Sequence, residues 1–164
     1  MRRGRKADAD TILRLWDTAI AWLVARGQTD QWGPEPASAQ PRCRDAVQEW
    51  AAGQGLRIAE LDRQPVGVSV VAESCPNYAP PTELPESYLL FLVTDGAHAG
   101  HGIGAALVEQ AAVEARANGS QVLRVDCWAG APALVRWYER NGFVKTDTFT
   151  VNDRWHGQIF EMML

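Results

Sequence analysis

The chain has 164 residues, 46% apolar and 22% charged, a composition suited to one folded domain with a single core and wrong for a disordered chain. Its formal charge is −4. Four of the 16 basic residues (Arg2, Arg3, Arg5 and Lys6) fall within the first six positions, so 12 remain against 20 acids. A body that acidic excludes nucleic acid as a partner, because phosphate contacts need clustered cations. No apolar run approaches the roughly 20 residues that cross a bilayer, so no membrane partner is expected. The basic start is followed by Asp8 and Asp10 where a targeting segment would turn apolar. Three cysteines, Cys43, Cys75 and Cys127, are odd in number and lack metal-ligand spacing, which argues for no metal, no disulfide scaffold and a cytoplasmic location.

The first helix is predicted from about Asp10 to Arg26, with Ile12, Leu15, Trp16, Ala19, Ile20, Leu23 and Val24 at helical spacing and Gly27 as its stop. A loop rich in Gly and Pro follows, carrying Asp30-Gln31-Trp32. Pro41 opens a second helix that Gly53 closes. Leu56 to Leu61 and Val66 to Ala72 read as a hairpin around Asp62-Arg63-Gln64-Pro65. Residues 74 to 87, with four prolines, predict an exposed loop. Tyr88 to Val93 is an apolar run that suits a strand covered on both faces. A helix from about Gly102 to Ala117, a strand from Val122 to Cys127, a short helix from Pro132 to Arg140 and a closing hairpin around Asn152-Asp153 complete the chain. This order predicts an α/β fold of the α+β kind, with a mixed, mostly antiparallel central sheet flanked by about four helices in a single domain over 1–164.

The sharpest local signal is the run from Thr94 to Ala105, with glycines at alternate positions 100, 102 and 104 between a strand and a helix. Removing Cβ atoms lets a ligand approach the backbone, and the first turn of the helix offers unpaired N–H groups at the positive end of its dipole. Such a turn suits a diphosphate. Gly100, Gly102 and Ala105 also satisfy the loose dinucleotide pattern G-x-G-x-x-[GA], and Asp126 lies where a ribose-binding acid could sit. Against a dinucleotide fold, the unit starts late in the chain and follows a hairpin.

Ala99-Gly100-His101-Gly102-Ile103-Gly104 resembles the [RQ]-x-x-G-x-[GA] motif of the GNAT superfamily of N-acetyltransferases, except at its first position. The run from Ala133 to Phe143, with Trp137-Tyr138-Glu139 followed by Gly142-Phe143, is similar to that family's second signature. The resemblance spans nearly the whole chain and implies the following. Acetyl-CoA is the cosubstrate, its pyrophosphate resting on the N–H groups of Ala99, Gly100, His101, Gly102, Ile103, Gly104 and Ala105. Its pantetheine arm pairs with the strand end at Leu92, Val93 and Thr94. The acetyl group lies between that strand and the one ending at Asp126-Cys127, where backbone donors polarise the thioester carbonyl. Tyr138 protonates the departing thiolate, as a phenol that keeps its proton at pH 7 can. Transfer is direct, so Cys127 is expected to be inert packing. The base is open among Asp126, Glu73 and a water chain, and Asp126 is the choice made here. Ala99, Gly96 and Ala131 depart from the residues common in the family.

No Lys or Arg occurs from Gln64 through Ala115, so His98 and His101 are the cations the turn itself could muster, strengthening coenzyme binding as they protonate. For the acceptor amine, of a small molecule or a peptide, Trp32, Tyr78 and Trp128 are the expected pocket residues, with Trp22 and Trp155 in the same segments. Glu35, Glu73, Glu83 or Glu86 could pair with its charge. Helical spacing places Trp16 and Trp22 in the core. A second copy of the chain is the one macromolecular partner left open, as a homodimer. Two rival functions are a nucleotide-dependent oxidoreductase, on the glycine pattern, and a non-catalytic acyl-CoA sensor, on the missing Arg at position 99.

Overall fold

The apolar stripe of the first segment folds Ala9–Val24 into α1, which buries Ile12, Leu15, Trp16 and Ile20. Gly27, at φ +67, reverses the chain behind it while the Gln28 amide returns to the Leu23 carbonyl at 3.0 Å. The computed structural model describes residues 1–164. Pro41 starts α2 (Pro41–Ala52), whose inner face carries Cys43, Val47 and Ala51. Strands β2 (Leu56–Leu61) and β3 (Gln64–Ala72) meet at a two-residue turn in which Asp62 and Arg63 both have positive φ, 49° and 65°. That geometry matches the twist of a hairpin, so β3 begins two residues earlier than the predicted Val66. Pro65 is tolerated in β3 because its partner is Glu60, next to a register shift at Ala59/Glu60.

β4 (Glu86–Thr94), α3 (Ile103–Ala117), β5 (Val122–Trp128), α4 (Pro132–Arg140), β6 (Val144–Val151) and β7 (Trp155–Met163) follow. The last two strands turn at Asn152 and Asp153, again both at positive φ. One strand was not anticipated. Arg2–Arg3 forms β1 and pairs with Ile58 and Arg57 of β2. The sheet has seven strands in the order β1-β2-β3-β4-β5-β7-β6. β4 and β5 run parallel, whereas β1–β2, β2–β3, β5–β7 and β6–β7 are antiparallel. The architecture is therefore the expected mixed sheet with four α-helices. No helix is long and apolar enough to cross a membrane.

The chain divides into two compact units. The first comprises Met1–Val70 with Phe91–Leu107, the second Val71–Leu90 with Val108–Leu164. In the first, Trp16 packs against Trp50, Phe91 and Trp32 at centroid distances of 5.9, 4.7 and 6.0 Å. Beside them, Ala59, Val66 and Leu107 bury Leu92 and Ile103. Gly67 makes that packing close, since a Cβ there would stand 2.8 Å from Ile103 Cγ2 and 3.0 Å from Leu107 Cδ1. The basic start belongs to the same unit. Arg2 grips Asp8 with two hydrogen bonds of 2.9 and 2.7 Å and reaches Glu60 at 2.7 Å.

The second unit centres on β5. Ala79, Tyr88 and Ile159 form a buried group with Cys75, Leu90 and Phe149 around it. The proline-rich segment is thus only partly exposed: Ala79 is buried, and β4 starts at Glu86, inside the predicted loop. Arg124 explains the anchoring. Fully buried, it donates to the Pro80 carbonyl at 3.0 Å and to Glu86 at 3.0 Å, while its Nε lies 3.0 Å from Glu161.

Candidate active site

Within the first unit, β4 hands over to the glycine turn through the Asp95 amide, which donates to the Val66 carbonyl at 2.8 Å. The Asp95 carboxylate accepts from the Ala97 amide at 3.0 Å and caps a short 3₁₀ turn, Gly96–His98. The amides of Ala99 and His101 are spent inside the turn, on the carbonyls of Gly96 and His98 at 3.2 and 3.3 Å. Gly100 and Gly102 then take φ of +82° and +71°, a region that L side chains rarely adopt. A Cβ on either would meet nothing within 4 Å. The first helical bond of α3 comes from Ala106, to the Gly102 carbonyl at 3.0 Å. The amides of Gly100, Gly102, Ile103, Gly104 and Ala105 consequently donate to no protein group. A row of free donors at the positive end of a 15-residue helix, open above two Cβ-less positions, fits the two phosphates of a diphosphate.

The residues that precede the turn alternate in burial between the two faces of β4. Val93 is buried, while Leu92 and Thr94 are half-buried. Trp22 departs from expectation. It is 44% exposed rather than in the core, and its indole lies over Gly96, where a Cβ would be 3.2 Å from Trp22 Cδ1. A side chain at position 96 would require the indole to give by a few tenths of an ångström. The Arg26 guanidinium sits 3.7 Å above the same indole and donates to the Trp22 carbonyl at 3.1 Å. His98 Nδ1 stands 3.5 Å from Asp95 Oδ2 without hydrogen-bond alignment, and His101 Nδ1 faces the carbonyls of His98 and Ala99 at 3.0 and 3.3 Å.

The second unit holds the predicted acid and base. α4 begins at Pro132 after Ala131, which caps nothing with its side chain. Six residues later it buries Tyr138 against Phe143 and Phe160, at centroid distances of 5.6 and 5.2 Å. Burial drives the Tyr138 phenol well above the ordinary tyrosine range, helped by Cys127 and Asp126, and its hydroxyl bonds to no protein group. Asp126 is pushed up as well, mainly by burial. Its Oδ1 accepts from Tyr88 at 2.7 Å and from Tyr78 at 3.4 Å, and both bonds oppose that rise. Cys127 is buried and its thiol is pushed up to about 12, chiefly by desolvation, which disfavours the thiolate.

Each of the predicted acceptor residues has its own neighbours within its unit. Tyr78 joins Asp126, Trp32 belongs to the aromatic group around Trp16, and Trp128 stays at the end of β5 opposite Gly157. Glu86, weighed as an amine partner, is committed to Arg124 and to the Cys75 amide at 2.8 Å. Tyr88, Phe149 and Arg124 went unnoticed in the sequence. The hint for Tyr88 was a hydroxyl at the head of the apolar run Tyr88 to Val93.

A sequence model of the acetyltransferase (GNAT) family matches residues 24–143. No curated protein matches the chain. Among solved structures, the ribosomal-protein-alanine N-acetyltransferase of Brucella melitensis is similar at a TM-score of 0.65 and 20% identity, covering 99% of this chain and 98% of its own. yncA of Salmonella typhimurium, solved with its cofactor acetyl-CoA, gives 0.66 and 19%, covering 99% and 92%. The polyamine N-acetyltransferase of Drosophila melanogaster gives 0.69 and 16%, covering 99% and 98%. These likenesses establish the fold, and the family match covers the strand–turn–helix unit with its free amides and runs on through Tyr138 to Phe143. On that footing the chain belongs to the acetyltransferase (GNAT) family.

Proposed function

We propose that this acetyl-CoA-dependent acetyltransferase, a single domain over 1–164, moves the acetyl group directly onto the primary amine of a small molecule or peptide. The observation that carries the reading is the set of five unpaired amides at Gly100, Gly102, Ile103, Gly104 and Ala105. Acetyl-CoA supplies an acetyl group activated as a thioester. The free amides would hold its diphosphate, and Ala99 and His101, whose own amides are engaged, would shape the turn. Leu92, Val93 and Thr94 would present strand-edge hydrogen bonds to its pantetheine arm.

Asp126 is the base. An ammonium cannot attack a carbonyl, so one proton must leave the nitrogen, and a desolvated carboxylate accepts it more readily than an exposed one. Tyr138 is the acid. Burial keeps its proton in place until a thiolate forms, and its unbonded hydroxyl is available to donate. No side chain needs to carry the acetyl group, which agrees with the disfavoured thiolate of Cys127. The nucleotide-dependent oxidoreductase finds no support in a sheet whose order runs β4-β5-β7-β6 with a closing antiparallel hairpin.

The test is thiol release from acetyl-CoA across a panel of amines. Tyr138→Phe should lower kcat about 100-fold with the dissociation constant for coenzyme A unchanged. A wild-type kcat in that variant removes the acid role. Absence of both coenzyme A binding and thiol release removes the whole reading.

A further inference from the structure

The charges around β5 do not balance. Arg124, wholly buried, already meets Glu86 and Glu161, each at 3.0 Å, and fills a further donor with the Pro80 carbonyl. Two residues along the same face of β5, Asp126 adds a third carboxylate with no cation of its own. The two phenols that reach it, Tyr88 and Tyr78, both donate to Oδ1. Oδ2 accepts no hydrogen bond from the protein. Around this carboxylate the surfaces are aromatic: Tyr78 stacks on Phe149 with centroids 5.3 Å apart and planes inclined 23°, and Phe149 in turn meets Trp155 at 5.7 Å.

A half-sunk carboxylate with one free oxygen, surplus negative charge behind it and π faces beside it is built to attract a cation. Tyr78 belongs to that recognition on two counts, because its hydroxyl orients Asp126 while its ring extends the aromatic wall. A ligand carrying its own carboxylate would bring like charge toward Glu86, Glu161 and Asp126.

We propose that Asp126, oriented by Tyr88 and Tyr78 and walled by Phe149, is the acceptor-recognition site and selects an aryl- or alkylammonium compound lacking a carboxylate of its own. The assignment rests on the acetyltransferase reading above and names the acceptor class for it. Calorimetric titration of the full chain, with and without saturating coenzyme A, compares phenethylamine with its uncharged analogue phenethyl alcohol and its carboxylated analogue phenylalanine. Phenethylamine is expected to bind about tenfold more tightly than either. Asp126→Asn should abolish the preference, Asp126→Glu should retain most of it, and Tyr78→Leu should weaken it several-fold. Coenzyme A binding and melting temperature report that each variant is folded. Equal affinity for amine and alcohol, phenylalanine binding as tightly as phenethylamine, or a preference that survives Asp126→Asn overturns the site. Coenzyme A bound without amine selectivity removes this inference alone, whereas amine selectivity without coenzyme A binding removes the acetyltransferase reading and leaves the ammonium site standing.

Discussion

Gly102 and Gly119 offer a controlled comparison. Both have positive φ, +71° and +82°, and at both an added Cβ meets nothing within 4 Å. Gly119 ends α3, its amide bonded to the Arg116 carbonyl at 3.0 Å, whereas Gly102 opens the same helix beside the free amides. Alanine at either site keeps the surrounding contacts and costs only the left-handed backbone, about 1–2 kcal/mol. For a chain this size each kcal/mol lowers the melting temperature by about 2–4 °C, so the two variants should melt alike. Their coenzyme affinities should differ. The methyl of Gly102→Ala projects into the open space where the diphosphate is proposed to lie, and a charge-assisted hydrogen bond lost there is worth about 1.5–3 kcal/mol. The dissociation constant of coenzyme A, read by calorimetry, should therefore rise at least about tenfold in Gly102→Ala and stay unchanged in Gly119→Ala. Should both variants bind coenzyme A like the parent while sharing the same loss of stability, the amides of the turn are not where the diphosphate rests.

Two stability predictions follow from the buried charges. Arg124→Ala leaves Glu86 and Glu161 without their cation and should cost about 3–5 kcal/mol in urea unfolding; an unchanged midpoint would show the pairs to be solvated. The Arg2 guanidinium holds the Asp8 carboxyl below the usual carboxylate range, so its contribution is complete above the unfolded value of about 3.9 and is lost as pH falls through the lower folded value. Asp8→Asn should destabilise by about 1–3 kcal/mol at pH 7 and by progressively less below pH 4, and a pH-independent difference would refute the pairing.

The helices and hairpins were legible because each is written in a local period or a turn. Ile12, Leu15, Trp16 and Ile20 repeat at helical spacing, and Asp62-Arg63 and Asn152-Asp153 are turn residues that accept positive φ. β1 was not legible, since two arginines carry no period and their strand exists only through pairing with Ile58 and Arg57. Trp22 misled for a related reason: it sits late in α1, where the apolar stripe runs past the core, and its position became intelligible only with Gly96 beneath it. The glycine turn showed where an anion could bind, but not which amides were free, because that depends on the internal bonds of Ala99 and His101. Asp126 was visible as a strand-end acid. Its partners Tyr88 and Tyr78 lie 38 and 48 residues away, and only the pairing of β4 with β5 and the anchoring of the proline-rich segment bring them to it.

An acidic chain that binds a diphosphate poses an electrostatic question, and the turn answers it with geometry. Backbone amides carry fixed partial charges, cannot titrate and need no rotamer order, so the five unpaired ones at this helix start would, on the proposed reading, attract the diphosphate without raising the net charge. Around the turn, His101 Nδ1 faces the carbonyls of His98 and Ala99, and His98 Nδ1 lies 3.5 Å from Asp95. Just past α1, Arg26 rests on the indole that lies over Gly96. Trp22 thereby touches two features that the sequence keeps 70 residues apart: Gly96, the first residue of the 3₁₀ turn that precedes the free amides, and the Arg26 guanidinium. On the proposed reading, selection for a diphosphate would rest on the spacing of these donors rather than on charge density, so a turn without lysine or arginine of its own would still serve.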